Sequence, residues 1–363
     1  MKFFRLGLGG HASITLLLGI ILTAPLMAFL GDSPAAPTAK ITVMTRNLYV
    51  GASFRILLGA STPDDIRDRV AQVYARILSS KFASRAEAIA NEIAEARPDV
   101  VGLQEAILLL VKPPGEPSIA NQPEPPAVAI DYLQILLDAL QRRRAGYAIA
   151  AIVNNTDLTE STRNGERIRL IDRDVILVRT DLPPGEMRVL NTQAKNFDTK
   201  ATLELMGNEV TLLRSWCSVD LMVRGKLVRV VNTHLEEEFF DLVQTFQADE
   251  LLAGPFRTDL PVIVLGDFNA SDGSDTYRYF LKSGVKDTWV LAHPGDPGFS
   301  CCQGEDLLNS TSQLKERIDF ILYRGSQINV DEIKLVGSHP SDRTPSGHWP
   351  SDHAGVVAKL SIK

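Results

Sequence analysis

Polar side chains stand at the ends of several apolar, strand-like stretches of this sequence. The set comprises Asn47, Glu105, His234, Asp267, Asn269, Asp319, Asp352 and His353. Each one alone is most often a turn former, a locally bonded polar group or a structural histidine. Glu105 and Asp319, however, interrupt apolar runs, where a carboxylate must be paired, protonated or bound to a cation. Taken together, the set indicates a functional site.

The residue types in this set suit hydrolysis of a phosphate ester by a metal-activated water. Hard cations such as Mg²⁺ prefer oxygen ligands, which carboxylates and an Asn side chain supply. His234 and His353 add imidazoles that titrate near neutral pH. A metal-assisted attack on phosphorus uses both kinds of group. We therefore expect a phosphate-ester substrate and a site for Mg²⁺, with Mn²⁺ as an alternative.

Short apolar strands that alternate with helical patterns must position these side chains. Strands are predicted at residues 40–50, 99–106, 147–235 (mainly β), 261–270, 317–325 and 355–362, and helices at 64–79, 84–97, 127–144, 241–253 and 274–283. Ser84, with Glu87 three residues later, forms a capping box that marks the start of the second helix. A Pro-rich stretch at 112–126 predicts an exposed loop. Many strands with interleaved helices favour one α/β domain in which two sheets pack together under outer helices.

The composition is that of a globular protein with an export signal. Its 363 residues are 45% hydrophobic, and the mean hydropathy is +0.01. Lys2 and Arg5 precede an apolar run from Ile14 to Leu30. This layout predicts a signal peptide at residues 1–35, with an uncleaved membrane anchor as the alternative. Residues 40–363 are then a single catalytic domain, and we expect a secreted or periplasmic monomer, or a membrane-anchored form of it, with no obligate protein partner.

The three cysteines leave their pairing open. Cys217, Cys301 and Cys302 are too few for a disulfide scaffold, and their spacing is not that of a zinc site. An exported protein can hold one bridge with one thiol left over. Adjacent cysteines join only by closing a small ring, so a bridge from Cys217 to either neighbour competes with a Cys301–Cys302 bond.

Six short motifs occur in order along the chain. They are TRNLYVG, VVGLQEA, VVNTHL, VLGDFNA, RIDFIL and PSDHAGVV. In order and approximate spacing they resemble the endonuclease/exonuclease/phosphatase superfamily, and the chain is identified as a deoxyribonuclease-like, secreted bacterial-type member. The resemblance spans roughly residues 40–360, and its specificity comes from six ordered motifs together. It implies a four-layer α/β/β/α sandwich of two packed mixed sheets with helices outside.

The resemblance also implies a role for each residue of the metal and water site. Glu105 and Asn47 would form the main metal site, and Asp352 would complete it. Asp267 would orient or activate the attacking water, and Asn269 would hold a phosphate oxygen. Because Asp267 and Asn269 lie on one turn at a strand end, they can address the water and the phosphate at the same time.

The remaining three residues are implied to act on the phosphate and the leaving group. His353 would contact the phosphate, and Asp319 would steady its ring. His234, in the NTHL motif, would act as the general acid. Donors aimed at developing charge are often the largest catalytic contribution. Because this set of groups is intact, a binding-only role is disfavoured.

Composition and local patterns leave the substrate class open. The net charge of −6 excludes an overall basic surface but not a nuclease, since a local patch or bound metal ions can offset phosphate charge. One candidate patch is made of Arg163, Arg167, Arg169, Arg173 and Arg179, with acidic residues among them. The apolar stretch 106–111 after Glu105 would suit a lipid surface, although most such stretches pack in the core.

These observations predict one function and two alternatives. We expect a secreted, metal-dependent phosphodiesterase that acts on a nucleic acid or, like a sphingomyelinase, on a phospholipid. The alternatives are a phosphomonoesterase that acts on inositol phosphates and a noncatalytic exported binding protein on the same fold.

Overall fold

A computed structural model describes residues 38–114, 127–205 and 207–363 of the chain, and these residues form one compact unit. The predicted signal peptide at residues 1–35 and most of the Pro-rich loop lie outside the described residues. Within the described part of the chain, no helix has the length and apolar character needed to cross a membrane.

The described elements are sixteen strands, seven α-helices and two short 3-10 turns. The strands are β1 Ala39–Asn47, β2 Val100–Gln104, β3 Leu108–Lys112, β4 Ala127–Asp131, β5 Tyr147–Ser161, β6 Arg167–Arg179, β7 Met187–Asn196, β8 Ala201–Leu205, β9 Asn208–Leu212, β10 Ser215–Val223, β11 Lys226–His234, β12 Val262–Asp267, β13 Lys286–Asp287, β14 Asp319–Arg324, β15 Ile328–Val336 and β16 Gly355–Ile362. The helices are α1 Arg55–Leu58, α2 Pro63–Ser79, α3 Phe82–Ala96, α4 Tyr132–Arg142, α5 Asp241–Ala253, α6 Asp275–Lys282 and α7 Thr288–Ala292. The 3-10 turns are Glu238–Phe240 and Pro340–Asp342.

The strands form two large mixed sheets and one small hairpin. The first sheet runs β15-β16-β1-β2-β6-β3-β4, and β5 pairs with the long strand β6. The second sheet runs β13-β14-β12-β11-β10-β7, and β8 and β9 pair with each other as a two-stranded sheet. The parallel pairs are β1 with β2 and β11 with β12, whereas the other pairs are antiparallel.

Both faces of each large sheet are covered by apolar side chains. On β1, Val43 packs between the two sheets, whereas Met44 packs under α2, α3 and α4. On β11, Val230 packs between the sheets and Val231 packs against α5 and α6. Strands covered on both faces are expected to be near-continuous apolar runs, which is why they stand out in the sequence. The layer order is helix, sheet, sheet, helix, so the predicted four-layer α/β/β/α sandwich is confirmed.

Two predicted helix starts are wrong. The helix α3 begins at Phe82, and Lys81 before it adopts a left-handed conformation with φ 51° and no side-chain cap. Ser84 therefore lies inside the helix and does not cap it. Residues 127–131 form a strand that pairs with β3, and α4 starts only at Tyr132 with Asp131 as its N-cap. Pairing with the preceding strand β3 overrides the local helical pattern there.

The apolar stretch 106–111 belongs to the first sheet. Its residues Leu108 to Val111 lie in β3, which pairs with both β6 and β4. Leu109 is fully buried and Leu110 is 7% exposed. The stretch therefore packs in the core and does not offer an apolar rim to a lipid surface.

Arg85 on α3 is fully buried and holds three segments of chain together. Its guanidinium donates hydrogen bonds to the backbone carbonyls of Leu48, Tyr49, Ser80 and Pro350, at distances between 2.7 and 3.1 Å. These carbonyls follow β1, follow α2 and precede β16. Because a buried carbonyl is costly to leave without a donor, Arg85 fixes the relative positions of the three segments.

Gly102 marks a close approach between the two sheets. The side chain of Asn232 reaches across from β11, and its Nδ2 donates to the carbonyls of Leu103 and Val175 in the first sheet at 3.0 and 3.1 Å. A Cβ at Gly102 would lie 2.0 Å from Leu265 Cδ1 and 2.5 Å from Asn232 Oδ1. The absence of a side chain at this position therefore makes room for the amide.

We predict that Gly102→Ala lowers the free energy of unfolding by about 1–3 kcal/mol, because the added methyl overpacks the space between the sheets. Urea denaturation followed by circular dichroism measures this change. The matched control is Gly273→Ala, since a Cβ there meets nothing within 4 Å. An unfolding free energy for Gly102→Ala equal to that of the control would contradict the proposed close packing.

Candidate active site

The predicted site residues meet at one end of the two stacked sheets. Asn47 ends β1 beside the end of the parallel strand β2, which Glu105 follows directly. In the second sheet, His234, Asp267 and Asp319 lie opposite one another on β11, β12 and β14. The strand order of each sheet therefore places residues that are far apart in sequence next to one another.

Asn47 connects the two halves of the site. Its Nδ2 donates to Glu105 Oε1 of the first sheet and to Asp267 Oδ2 of the second, each at 3.0 Å. Its Oδ1 accepts a hydrogen bond from the backbone N–H of Tyr49 at 2.8 Å, and Val50 N–H donates to Glu105 Oε2 at 2.6 Å. In this orientation Asn47 is a hydrogen-bond bridge, and its role as a metal ligand stays a prediction.

Glu105 and Asp352, the two carboxylates predicted to hold a metal ion, lie close enough for the charge of Asp352 to act on Glu105. Burial, followed by the negative charges of Asp352 and Asp172, raises the pKa of Glu105 to about 7. Burial also raises the pKa of Asp352, against the opposing charge of His353. The hydrogen bonds to Glu105 described above come from neutral groups. A hard cation between the two carboxylates would favour their charged forms and satisfy their oxygens.

His353 is surrounded by carboxylates. Its Nδ1 lies 2.8 Å from Asp319 Oδ2 and 3.9 Å from Asp267 Oδ2, and its Nε2 lies 3.9 Å from Asp352 Oδ1. Although burial alone would lower it, the charges of Asp319, Asp352 and Asp267 raise the pKa of His353 well above its usual range. The ring is therefore an imidazolium at neutral pH, which suits contact with a phosphate.

The turn after β12 places Asp267 and Asn269 as the motif predicts. The backbone N–H of Asn269 donates to Asp267 Oδ1 at 2.8 Å, and the Asn269 side chain donates to the carbonyl of Leu235 at 3.0 Å. Asn269 is only partly buried and has a φ of 48°, a conformation that Asn tolerates better than most residues. Burial raises the pKa of Asp267 to about 6, with His353 opposing this shift.

His234 lies on the other side of Asp267. Its Nε2 is 3.7 Å from Asp267 Oδ2, and its Nδ1 is 3.8 Å from Asp174 Oδ1. Arg214 Nη1 lies 3.2 and 3.0 Å from the two ring nitrogens. Burial, with the charges of Arg214 and His353, holds the pKa of His234 well below its usual range. This ring is neutral near pH 7, so His234 does not act as an imidazolium acid in the resting enzyme. The neutral ring still carries one N–H that it can donate.

The sequence reading missed a buried acidic pair beside His234. Asp172 and Asp174 lie two residues apart on β6, and Asn155 Nδ2 donates to both, at 3.1 and 2.9 Å. Burial raises the pKa of Asp172, and burial with the charge of Asp172 raises that of Asp174 well above its usual range. The sequence does contain a sign of this pair, because Asp172 and Asp174 interrupt the apolar residues of β6 in the way that Glu105 interrupts the apolar stretch after β2.

Two buried arginines, Arg46 and Arg85, hold the backbone next to the site residues. Arg46, fully buried on β1, donates to the carbonyl of His353 and to Glu92 Oε1, the latter at 3.0 Å. Arg85 fixes the backbone on both sides of the site, next to Leu48 and Pro350. Both arginines contact backbone that is distant in sequence, so no local pattern reveals their role.

Known relatives match parts of the chain at low identity. The chain is 26% identical to Tyrosyl-DNA phosphodiesterase 2 of Xenopus laevis over 295 residues, which cover 78% of this chain and 63% of that protein. It is 26% identical to Nocturnin of Rattus norvegicus over 111 residues, which cover 28% of this chain and 25% of that protein. The chain thus matches less than two thirds of the length of either relative.

Solved structures share the fold over most of the chain. D. rerio TDP2 complexed with single strand DNA product has a TM-score of 0.52 at 18% identity, covering 88% of this chain and 98% of that one. The Bacteroides thetaiotaomicron mannosyl-6-phosphatase Bt3783 has a TM-score of 0.53 at 17% identity, covering 88% and 99%.

The family comparison agrees with the resemblance that the ordered motifs indicate. Residues 73–353 match the model of the Endonuclease/Exonuclease/phosphatase family. This range contains seven of the eight predicted site residues, and the eighth, Asn47, bonds directly to two of them. The chain therefore belongs to the Endonuclease/Exonuclease/phosphatase family.

Proposed function

We propose that this protein is a divalent-metal-dependent phosphodiesterase that uses Mg²⁺. Its family comprises hydrolases of phosphoester bonds. One observation carries the proposal, namely the surroundings of Asp267. This buried carboxylate accepts hydrogen bonds from Asn47 and Asn269 and lies 3.7 Å from His234 and 3.9 Å from His353. A buried acid between two imidazoles in opposite charge states is typical of a catalytic centre.

The residues divide the hydrolysis between them. Glu105 and Asp352, with Asn47, would hold the divalent cation, which when bound supplies positive charge to the phosphate and lowers the pKa of a water molecule. Asp267 is placed to orient that water and accept its proton, because two hydrogen bonds fix the carboxylate. Asn269 stands at the partly exposed rim, where its amide can hold a phosphate oxygen.

The two histidines act on different oxygens of the phosphodiester. His353 is cationic, and Asp319 holds its Nδ1, so the Nε2 side of the ring can donate to the phosphate. His234 is neutral and carries a single N–H, which it can donate toward the leaving oxygen. Asp319 acts through His353 and positions its ring.

Two observations bear on the substrate class. Phe239, Leu242 and Phe246 are 79%, 70% and 58% exposed. This apolar patch begins three residues after Glu236, whose carboxylate contacts Arg214 beside His234 at 3.4 Å. Exposed aromatic and aliphatic side chains near a site of hydrolysis favour a phospholipid surface, in which they can be buried. We therefore propose a phospholipid diester as the first candidate substrate.

A nucleic acid is the second candidate, supported by the names of Tyrosyl-DNA phosphodiesterase 2 and its DNA complex among the similar proteins. The arginine-rich stretch does not support it, because four of its members pair with carboxylates. These pairs are Arg163–Asp68, Arg169–Asp157, Arg173–Asp131 and Arg179–Asp181. Export and a monomeric state are further proposals that rest on the sequence alone.

Glu105→Gln is expected to lower Mg²⁺-dependent hydrolysis of bis-p-nitrophenyl phosphate by about 100-fold or more. Loss of a residue that only supports the metal ligands costs about 10- to 100-fold, and loss of a ligand itself should cost more. The substitution keeps the side-chain volume and removes the charge, and one of the two oxygens that accept from Asn47 and Val50 becomes an NH2 group. Release of p-nitrophenol over a Mg²⁺ titration measures the effect, and Glu332→Gln on the exposed face of β15 is the control. Full activity of Glu105→Gln at ordinary Mg²⁺ would refute the metal role, and an inactive wild-type chain would favour a binding protein.

Asp319→Asn and His353→Ala are each expected to lower kcat/KM for the same diester by about 100-fold. The double variant should lose no more than either single variant, because the two groups act as one unit. A double-mutant cycle on kcat/KM, with circular dichroism to show folded protein, makes the measurement. Additive losses, or a loss of stability with unchanged turnover per folded molecule, would make Asp319 a structural residue.

The double variant Phe239→Ser/Phe246→Ser is expected to hydrolyse sphingomyelin in vesicles at least about tenfold more slowly, since each buried Phe contributes about 1.5–3 kcal/mol. Hydrolysis of bis-p-nitrophenyl phosphate should not change. Leu291→Ser on α7, also an exposed apolar position, is the matched control. If the wild-type protein cleaves plasmid DNA and does not hydrolyse sphingomyelin in vesicles, the substrate is a nucleic acid and the phospholipid proposal is wrong.

A further inference from the structure

The structure answers the question of the cysteine pairing. Cys301 and Cys302 are bonded to each other, whereas Cys217 is a free thiol that is fully buried between the two sheets. The proposed hydrolysis uses none of the three. Cys301 is 2% exposed and Cys302 is partly exposed, so the pair is reachable from solvent through Cys302.

The cysteine pair lies against the catalytic imidazole. Cys301 Sγ is 3.7 Å from His353 Nε2, the ring nitrogen that Asp319 does not hold. The sulfur of Cys301 therefore lies on the side of the ring that faces the phosphate in the proposed reaction.

The backbone holds the cysteine pair in this position from both ends. Ser300 O accepts a hydrogen bond from Ala354 N–H at 2.8 Å, and Gln303 N–H donates to Asp352 O at 2.8 Å. Cys301 also pairs with Glu316 as an isolated antiparallel bridge. These bonds join the cysteine segment directly to the loop that carries the imidazole, so the distance between sulfur and ring does not depend on the disulfide alone.

We propose that, once reduced, Cys301 and Cys302 form with His353 Nε2 a binding site for a thiophilic divalent metal ion. One ligand atom from each of the three residues lies within 4.8 Å of the others. Thiolates and imidazole select soft or borderline ions, whereas the carboxylate and amide set at Glu105 selects hard ones. The protein thus has two adjacent sites of opposite preference, and an ion in the thiolate site occupies the nitrogen that binds phosphate.

The steps balance with a dithiol as the reductant. The dithiol gives two electrons to the Cys301–Cys302 bond and becomes a cyclic disulfide, while its two protons pass to the protein sulfurs. Binding of the metal ion then releases both thiol protons and the Nε2 proton of His353 to solvent. The metal ion itself is neither oxidised nor reduced.

The test uses Cd²⁺ and the protein's own disulfide as the switch. The chain is reduced with a dithiol, freed of excess reductant without air, saturated with Mg²⁺ and titrated with Cd²⁺ while the ultraviolet sulfur-to-cadmium charge-transfer absorption is followed. We expect one equivalent of Cd²⁺ to bind to reduced protein and none to give this absorption in unreduced protein. Cys302→Ser should bind Cd²⁺ at least about tenfold more weakly, as should His353→Ala. Cys217→Ser is the matched control and should bind as wild type does.

Three results would overturn the proposal. The first is that Cd²⁺ gives the same charge-transfer absorption before and after reduction. The second is that Cys302→Ser and wild type bind Cd²⁺ with equal affinity. The third is that Cd²⁺ gives no absorption with folded protein whose thiols have been shown to be free. Alkylation of the reduced wild-type protein removes the same ligands without a mutation, so the test stands if Cys302→Ser does not fold. The binding readout needs no turnover and is therefore independent of the proposed function. If the chain hydrolyses the nitrophenyl diester, one equivalent of Cd²⁺ should inhibit the reduced form and leave the unreduced form active.

Discussion

The buried guanidinium of Arg85 is the interaction on which the arrangement of the site depends. It lies beneath the chain that leaves β1, the end of α2 and the loop before β16, and it donates to a carbonyl of each. The ring of Phe82 lies 4.9 Å from its central carbon, so the cation is enclosed by aromatic and backbone groups. A cation buried in this way is stable only while all its acceptors are in place. Correct placement of these loops and burial of the charge therefore require each other.

The chemistry of the site comes from the different surroundings of similar groups. Three carboxylates raise the pKa of His353 well above its usual range, so this ring is cationic. Burial, and then the charge of Arg214, hold the pKa of His234 well below its usual range, so this ring is neutral. Glu105 is a partly buried acid near other acids, whereas Asp267 is a fully buried acid between two imidazoles. Each group thus acquires its protonation state from its burial and from its neighbours, and the strand order decides which neighbours it has.

Much of this could be predicted from the sequence, and the failures have physical causes. The layers follow from apolar strands interleaved with amphipathic helices, and the site residues from polar side chains that end or interrupt buried strands. The predicted start of α3 at Ser84 is wrong because the helix begins after Lys81, whose left-handed conformation involves no side-chain cap that a sequence pattern could reveal. The strand at 127–131 is not predicted because it pairs with β3 across the Pro-rich loop, and the local pattern of residues 127–144 carries no sign of that pairing. The roles of Arg46 and Arg85 cannot be predicted, because in a single sequence a buried arginine that donates to backbone carbonyls looks like any surface arginine.

The amide of Asn232, which reaches over Gly102, has a consequence for how the two halves of the site stay aligned. Apolar contacts between stacked sheets have no preferred direction, so on their own they would permit the sheets to slide past each other by a fraction of a residue. Glu105 belongs to one sheet and Asp267 to the other, and such a slip would change their separation at once. The hydrogen bonds from Asn232 to Leu103 and Val175 resist it, because they are directional and lie only a few residues from the catalytic end. Directional hydrogen bonds in the core thus fix the register of the two sheets, and through it the separation of the site residues that the sheets carry.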